Sequence, residues 1–146
     1  YTSNLVIVTK KGALTDVKTI ADLAGKKIAA QSGTFHLDVL NEQATATVSE
    51  LADFSTMLIA LSAGTIEGYV AEEPTAIAVC MDETYDYVRL VNNDTGFTVA
   101  NDDVSIAIGV KKGSSLLADI NGVLATFGTE AQAELMNKMV KLAPAD

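Results

Sequence analysis

Lys27-Ile28-Ala29-Ala30-Gln31-Ser32-Gly33-Thr34-Phe35-His36-Leu37-Asp38-Val39-Leu40 is the stretch that decides the fold class. A short apolar run ends in a Ser-Gly-Thr break, and leucines then recur at helical spacing, so the stretch reads as strand, loop and helix. The same alternation extends outward in both directions. Upstream, Leu5-Val6-Ile7-Val8 is a continuous apolar run ended by Lys10-Lys11-Gly12, the pattern of a strand buried on both faces. Between the two, Thr19 to Gly25 holds a capping residue, a short helical turn and a closing glycine.

Downstream, Thr47 to Leu51 predicts a third strand, and Phe54, Met57, Leu58 and Leu61 recur as one helix face that Gly64 stops. Gly68 to Ala71 predicts a fourth buried strand, with Pro74 at the first position of the next helix, where proline costs nothing. Tyr87 to Val91 and Ser105 to Val110 are further strand candidates, separated by a connection from Asn92 to Asp103 rich in Asn, Asp, Thr and Gly. Two apolar stripes follow. Leu116, Ile120, Val123, Leu124 and Phe127 form one, and Leu135, Met136, Met139 and Val140 the other, so two helices close the chain. The prediction is an α/β domain: a mostly parallel sheet with helices on both faces.

Composition narrows the function classes. A chain of 146 residues suffices for one domain. With 49% hydrophobic and 20% charged residues it is too apolar for disorder. Ten basic and nineteen acidic side chains give a net charge of −9, which repels phosphate backbones and argues against nucleic acid as a partner. Cys80 is the only cysteine, so neither an internal disulfide nor a cysteine-based metal site can form. It lies in the apolar run from Ala76 and reads as a small buried hydrophobe. No apolar stretch approaches the roughly 18 residues of a membrane span, and the N-terminus lacks a signal-peptide pattern. Tyr1-Thr2-Ser3 reads as a mid-protein segment, so a missing front portion is expected.

Catalytic constellations are sparse. Serine-type catalysis needs a base, and the single histidine, His36, has no nucleophile-elbow motif to pair with. It reads as a surface or ligand-contact residue. One histidine and one cysteine give a transition metal too few nitrogen and sulfur ligands, and no cofactor is implied. Asp82-Glu83 and Asp102-Asp103 lack the spacing of a calcium loop and read as solvated surface.

Two places suit recognition, because ligands of open α/β sheets bind outside the C-terminal ends of the strands. The first is Gln31-Ser32-Gly33-Thr34-Phe35, where glycine allows close backbone approach, Ser32 and Thr34 offer hydroxyls, and the N–H groups opening a helix suit a carboxylate. Alone, it is equally a plain capping turn. The second is Glu72, which leaves a buried strand beside a helix start and can bond a ligand ammonium. Alone, it reads first as a solvated loop acid. Together they are the two halves of α-amino acid recognition.

Four stretches in order resemble the polar amino-acid family of ABC-transporter solute-binding proteins, the bacterial extracellular solute-binding protein family 3. They are Tyr1 to Val8 with the lysine pair after it, Ile20 to Thr34, Ala60 to Pro74, and Ser105 to Gly113 followed by Leu116 and Asn121. The resemblance implies a type II periplasmic-binding-protein-like lobe and no enzymatic activity. Residues 1–107 correspond to the second lobe of a two-lobed clamp, and 108–146 to a C-terminal strand and helices that return to a first lobe absent here. The implied function is extracytoplasmic binding of a polar or cationic amino acid, in the periplasm or as a cell-surface lipoprotein, for delivery to an ABC permease. By the same resemblance Gln31 is a cleft side chain, Ser32-Gly33-Thr34 the carboxylate loop and Glu72 the ammonium acid. Glu72 stands where the family usually has aspartate, and Glu73 replaces a small or capping residue; Glu73 is read as facing either the ligand or solvent. A receptor sensing domain and a cyclohexadienyl-dehydratase-like enzyme share the fold and are the alternatives. Apolar faces from Leu116 to Val140, left without the first lobe, carry an expectation of self-association.

Overall fold

A computed structural model describes residues 1–142. The strands are β1 (Leu5–Lys10), β2 (Lys27–Gln31), β3 (Thr47–Leu51), β4 (Gly68–Glu72) and β5 (Tyr85–Val88). The helices are α1 (Phe35–Gln43), α2 (Phe54–Ala63), α3 (Glu73–Val79), α4 (Leu116–Leu124) and α5 (Thr129–Leu142). The strands form one sheet in the order β3-β2-β4-β1-β5. β2 runs parallel to both β3 and β4, while β1 is antiparallel to β4 and β5, so four strands share a direction and β1 opposes them.

Alternation along β1 explains its unbroken apolar run. Leu5 and Ile7 enter one core with Ile28, Ala30, Val70 and the α1 residues Leu37 and Leu40. Val6 and Val8 enter the other with Ala29, Tyr69, Ala71, Met57 and Leu61 of α2, and Ala76 of α3. The sheet is thus covered on both faces. Gly68 is required by close approach: a Cβ there would stand 2.6 Å from Ile7 Cγ2 and 2.9 Å from the Val8 carbonyl oxygen.

Several expectations are corrected. Ser105–Val110 forms no strand; Ser105 makes an isolated antiparallel bridge to Thr2, and Ile106 and Ile108 stand exposed. An apolar alternating run becomes a strand only where a neighbour offers backbone partners, and among the described residues these lie only at its start, where Thr2 bridges Ser105 and the Ile106 N–H donates to the Tyr1 carbonyl at 2.8 Å. β5 begins two residues earlier than expected and ends at Val88. The turn at Ile20–Leu23 is a 3-10 helix, and Pro74 is the second residue of α3, still within the turn whose N–H groups lack helical partners. Cys80 is half-buried beyond the end of α3.

Helices α4 and α5 form as the stripes predict, yet none of their described residues is buried. The less exposed side of α5, at Gln132, Ala133, Met136 and Val140, marks the side turned from solvent. Leu116, Leu117, Val123, Phe127, Leu135 and Met139 remain open to solvent.

Candidate functional site

Because β2, β3 and β4 are parallel and each leads directly into a helix, the starts of α1, α2 and α3 gather at one end of the sheet. That end carries the partial positive charge of helix N-termini. Asp53 occupies the one at α2, its carboxylate accepting the Thr56 N–H at 2.7 Å. Thr34 caps α1 only through its backbone, for its hydroxyl turns back and donates to the Gln31 carbonyl at 2.8 Å. The Ser32 hydroxyl is likewise taken, donating to the Glu50 carboxylate. The loop therefore offers its backbone rather than two unengaged hydroxyls. Gly33 supplies the left-handed residue of the turn, at φ 68°.

Gln31 is half-buried, and its amide donates to the Ala52 carbonyl at 3.3 Å, which ties it to the β3–α2 loop. The Phe35 ring packs partly on the core and lies 4.5 Å, centroid to centroid, from the His36 ring. His36 is buried, where a surface or ligand-contact position was expected. Its Nε2 stands 3.9 Å from Glu72 Oε1, which sets the first turn of α1 beside the end of β4. Burial lowers the His36 pKa below its ordinary value and raises that of Glu72.

The neighbouring acids divide their work. Glu73 Oε1 accepts from Arg89 Nε at 2.6 Å, and Oε2 accepts from Asn4 Nδ2 at 3.1 Å. Asn4 in turn accepts the Asn92 N–H, and the Asn92 side chain bonds the Leu5 N–H and the Ser3 carbonyl. Glu72 caps α3 without any side-chain hydrogen bond to it, so its carboxylate stays available. Tyr1 lies by this acid pair; burial, then the charge of Glu73, raises its pKa. Sequence reasoning missed Tyr1, Asn4, Glu50 and Arg89. Their partners are distant in the chain, and only the Glu73 side of the network carried any local signal.

Among the described residues no group of three or more His, Cys, Asp or Glu side chains gathers to hold a metal. A cavity of about 290 Å³ lies along β1 and β5, lined by residues including Thr9, Lys18, Asp86 and Arg89. Another of about 250 Å³ lies at the far end of the sheet, by Lys10, Lys26 and Gly64. Neither coincides with the candidate site, which is an open face.

No protein-family model and no curated protein sequence matches the chain. Solved structures do match it. The amino acid ABC transporter substrate-binding protein AbpA from Streptococcus pneumoniae, bound to L-arginine, is 20% identical with a TM-score of 0.68, covering 97% of this chain and 58% of that one. A variant of arginine-bound ArgBP from T. maritima is 25% identical with a TM-score of 0.57, covering 62% of this chain and 43% of that one. Domain 2 of TmArgBP is 26% identical with a TM-score of 0.52, covering 57% of this chain and 91% of that domain. The chain spans about half the length of the intact binding proteins it matches. The chain therefore has the α/β, type II periplasmic-binding-protein-like fold and resembles the amino acid substrate-binding proteins of ABC transporters.

Proposed function

We propose that the chain is the second lobe of a non-catalytic, two-lobed protein that binds a polar or cationic amino acid outside the cytoplasmic membrane and delivers it to an ABC importer. One observation carries this reading: an unengaged carboxylate, Glu72, lies at the same end of the sheet as the N–H groups opening α1, with Oε1 3.9 Å from Nε2 of His36 in that helix's first turn. The helix start suits a ligand carboxylate, and Glu72 suits a ligand ammonium. In this reading residues 1–107 are the lobe and 108–146 return to a first lobe. The bridge between Thr2 and Ser105 supports it, because it sets the start of residues 1–107 beside their end. So does the exposure of Ile106, Ile108, Leu116 and Val123 on and just before the returning segment.

A thermal-shift panel of the twenty amino acids, run on the protein carrying both lobes, tests the reading. L-arginine belongs in it because four of the similar structures hold arginine. A ligand that binds only the folded state raises Tm, and at a hundredfold excess over Kd the gain is about 2.7 kcal/mol. One or a few amino acids are expected to raise Tm by several degrees, and the lobe alone to respond less. No shift with any of the twenty sinks the proposal.

A further inference from the structure

His36 is the only histidine in the sequence and sits in the first turn of α1 with a side chain 9% exposed. Both ring nitrogens are buried, and neither has a hydrogen-bond partner. Buried polar atoms are ordinarily paired, so an imidazole orphaned at both nitrogens calls for an explanation. The charged groups around it are few. Glu72, from the end of β4, is 3.9 Å away, outside hydrogen-bond range but close enough for ionic attraction. Glu50, from β3, is held by Ser32, and Glu73, at the start of α3, is held by Arg89 and Asn4. On α1 itself Asp38 and Glu42 are exposed, and Lys27 of β2 lies at that strand's far end.

We propose that His36 is a positioning residue for Glu72: when a ligand binds, its neutral imidazole donates a hydrogen bond from Nε2 to Glu72 Oε1, aiming a fully charged carboxylate at a cationic group of the ligand. This rests on the amino-acid reading above. The proton stays on nitrogen, so the carboxylate keeps its charge for the ligand. Imidazolium, by contrast, pairs with the same carboxylate and competes with the ligand for it. Capture of a cation therefore weakens as pH falls through the His36 titration. Burial holds that titration below the ordinary histidine range, so the site is ready to bind near neutral pH.

Two measurements test this. NMR titration of the single imidazole, in the chain and in Glu72→Gln, reports the coupling without any ligand. The midpoint is expected roughly one pH unit higher with the carboxylate present, and equal midpoints overturn the proposal. The second is L-arginine affinity between pH 7.5 and 5.5 in the protein carrying both lobes, for the unchanged protein, His36→Gln and His36→Leu. His36→Gln, which still donates but cannot become cationic, is expected to keep the neutral-pH affinity and lose most of the acid weakening. His36→Leu is expected to lose about tenfold at pH 7.5. An acid weakening in His36→Gln as steep as in the unchanged protein overturns the proposal, since Glu72 alone then accounts for it. If L-arginine does not bind while the NMR midpoints differ, the coupling stands and the cationic-ligand reading is what fails.

Discussion

Arg89 Nε donates to Glu73 Oε1 at 2.6 Å, which takes one of two adjacent acids out of the candidate site. Period-two alternation does the rest. Glu72 follows Val70 onto the face covered by α1, where His36 waits, while Glu73 begins α3 and reaches Asn4 and Arg89. One acid is left without a hydrogen bond, and the other fastens the start of β1 to α3.

The first prediction separates them. In the protein carrying both lobes, Glu72→Ala is expected to abolish the amino-acid thermal shift and leave unliganded Tm nearly unchanged or higher. Glu73→Ala is expected to keep the shift and cost about 1 kcal/mol of stability, because it leaves Asn4 and Arg89 without their acceptor. Equal loss of ligand response from both variants assigns the wrong acid.

Burial of Glu72 and His36 gives stability a pH signature of two opposing parts. The folded pKa of Glu72 lies above its ordinary 4.5, so its contribution is present at low pH and lost as pH rises through the folded value. Glu72→Gln removes the charge, and is expected to raise Tm by about 2 °C at pH 7 and by nothing near pH 4. His36 behaves oppositely: its folded pKa lies below 6.5, so its contribution is present above pH 6.5 and lost as pH falls through the folded value. His36→Gln is therefore expected to flatten the acid side of the Tm profile below pH 6.5. Parallel profiles for the unchanged protein and both variants refute these assignments.

Gly68 sets the spacing between β4 and β1. Gly68→Ala puts a methyl group 2.6 Å from Ile7 Cγ2 and 2.9 Å from backbone at Val8, and the backbone contact cannot be relieved by a side-chain rotation. The expected cost is about 2 kcal/mol, read as a lower denaturant midpoint at unchanged slope. A loss below about 0.5 kcal/mol shows that the strands can part there without penalty.

The strand-helix alternation was legible because burial writes itself into spacing, as in the run from Leu5 to Val8 and the stripe at Met57 and Leu61. Direction was not: nothing in Leu5 to Lys10 distinguishes a strand antiparallel to its neighbours from a parallel one. Ser105 to Val110 shows the converse limit, for its pattern is a strand's and its described backbone pairing stops at Ser105 and Ile106. In the site, the two candidate segments, Gln31 to Phe35 and Glu72, were picked out from strand ends, and both lie at the same end of the sheet. The burial of His36 was overlooked although it stands four residues before Leu40, on the buried side of α1. The role of Glu73 depends on Asn4 and Arg89, 69 and 16 residues away, and local reading cannot reach them.

The last prediction concerns the closing helices. Leu116, Leu117 and Val123 on α4 and Leu135 and Met139 on α5 are between 48% and 60% exposed, with Ile106 and Ile108 exposed before them. So much apolar surface on one segment is costly in water and is met by covering it. Without a first lobe, the cover nearest to hand is the same segment of another copy. Sedimentation velocity on the chain is expected to show mass rising with concentration, with Val123→Lys and Met139→Lys together returning it to monomer. The sheet core includes neither residue, so near-native Tm should accompany that change. A chain that stays monomeric across the whole concentration range shows that α4 and α5 tolerate water as they stand.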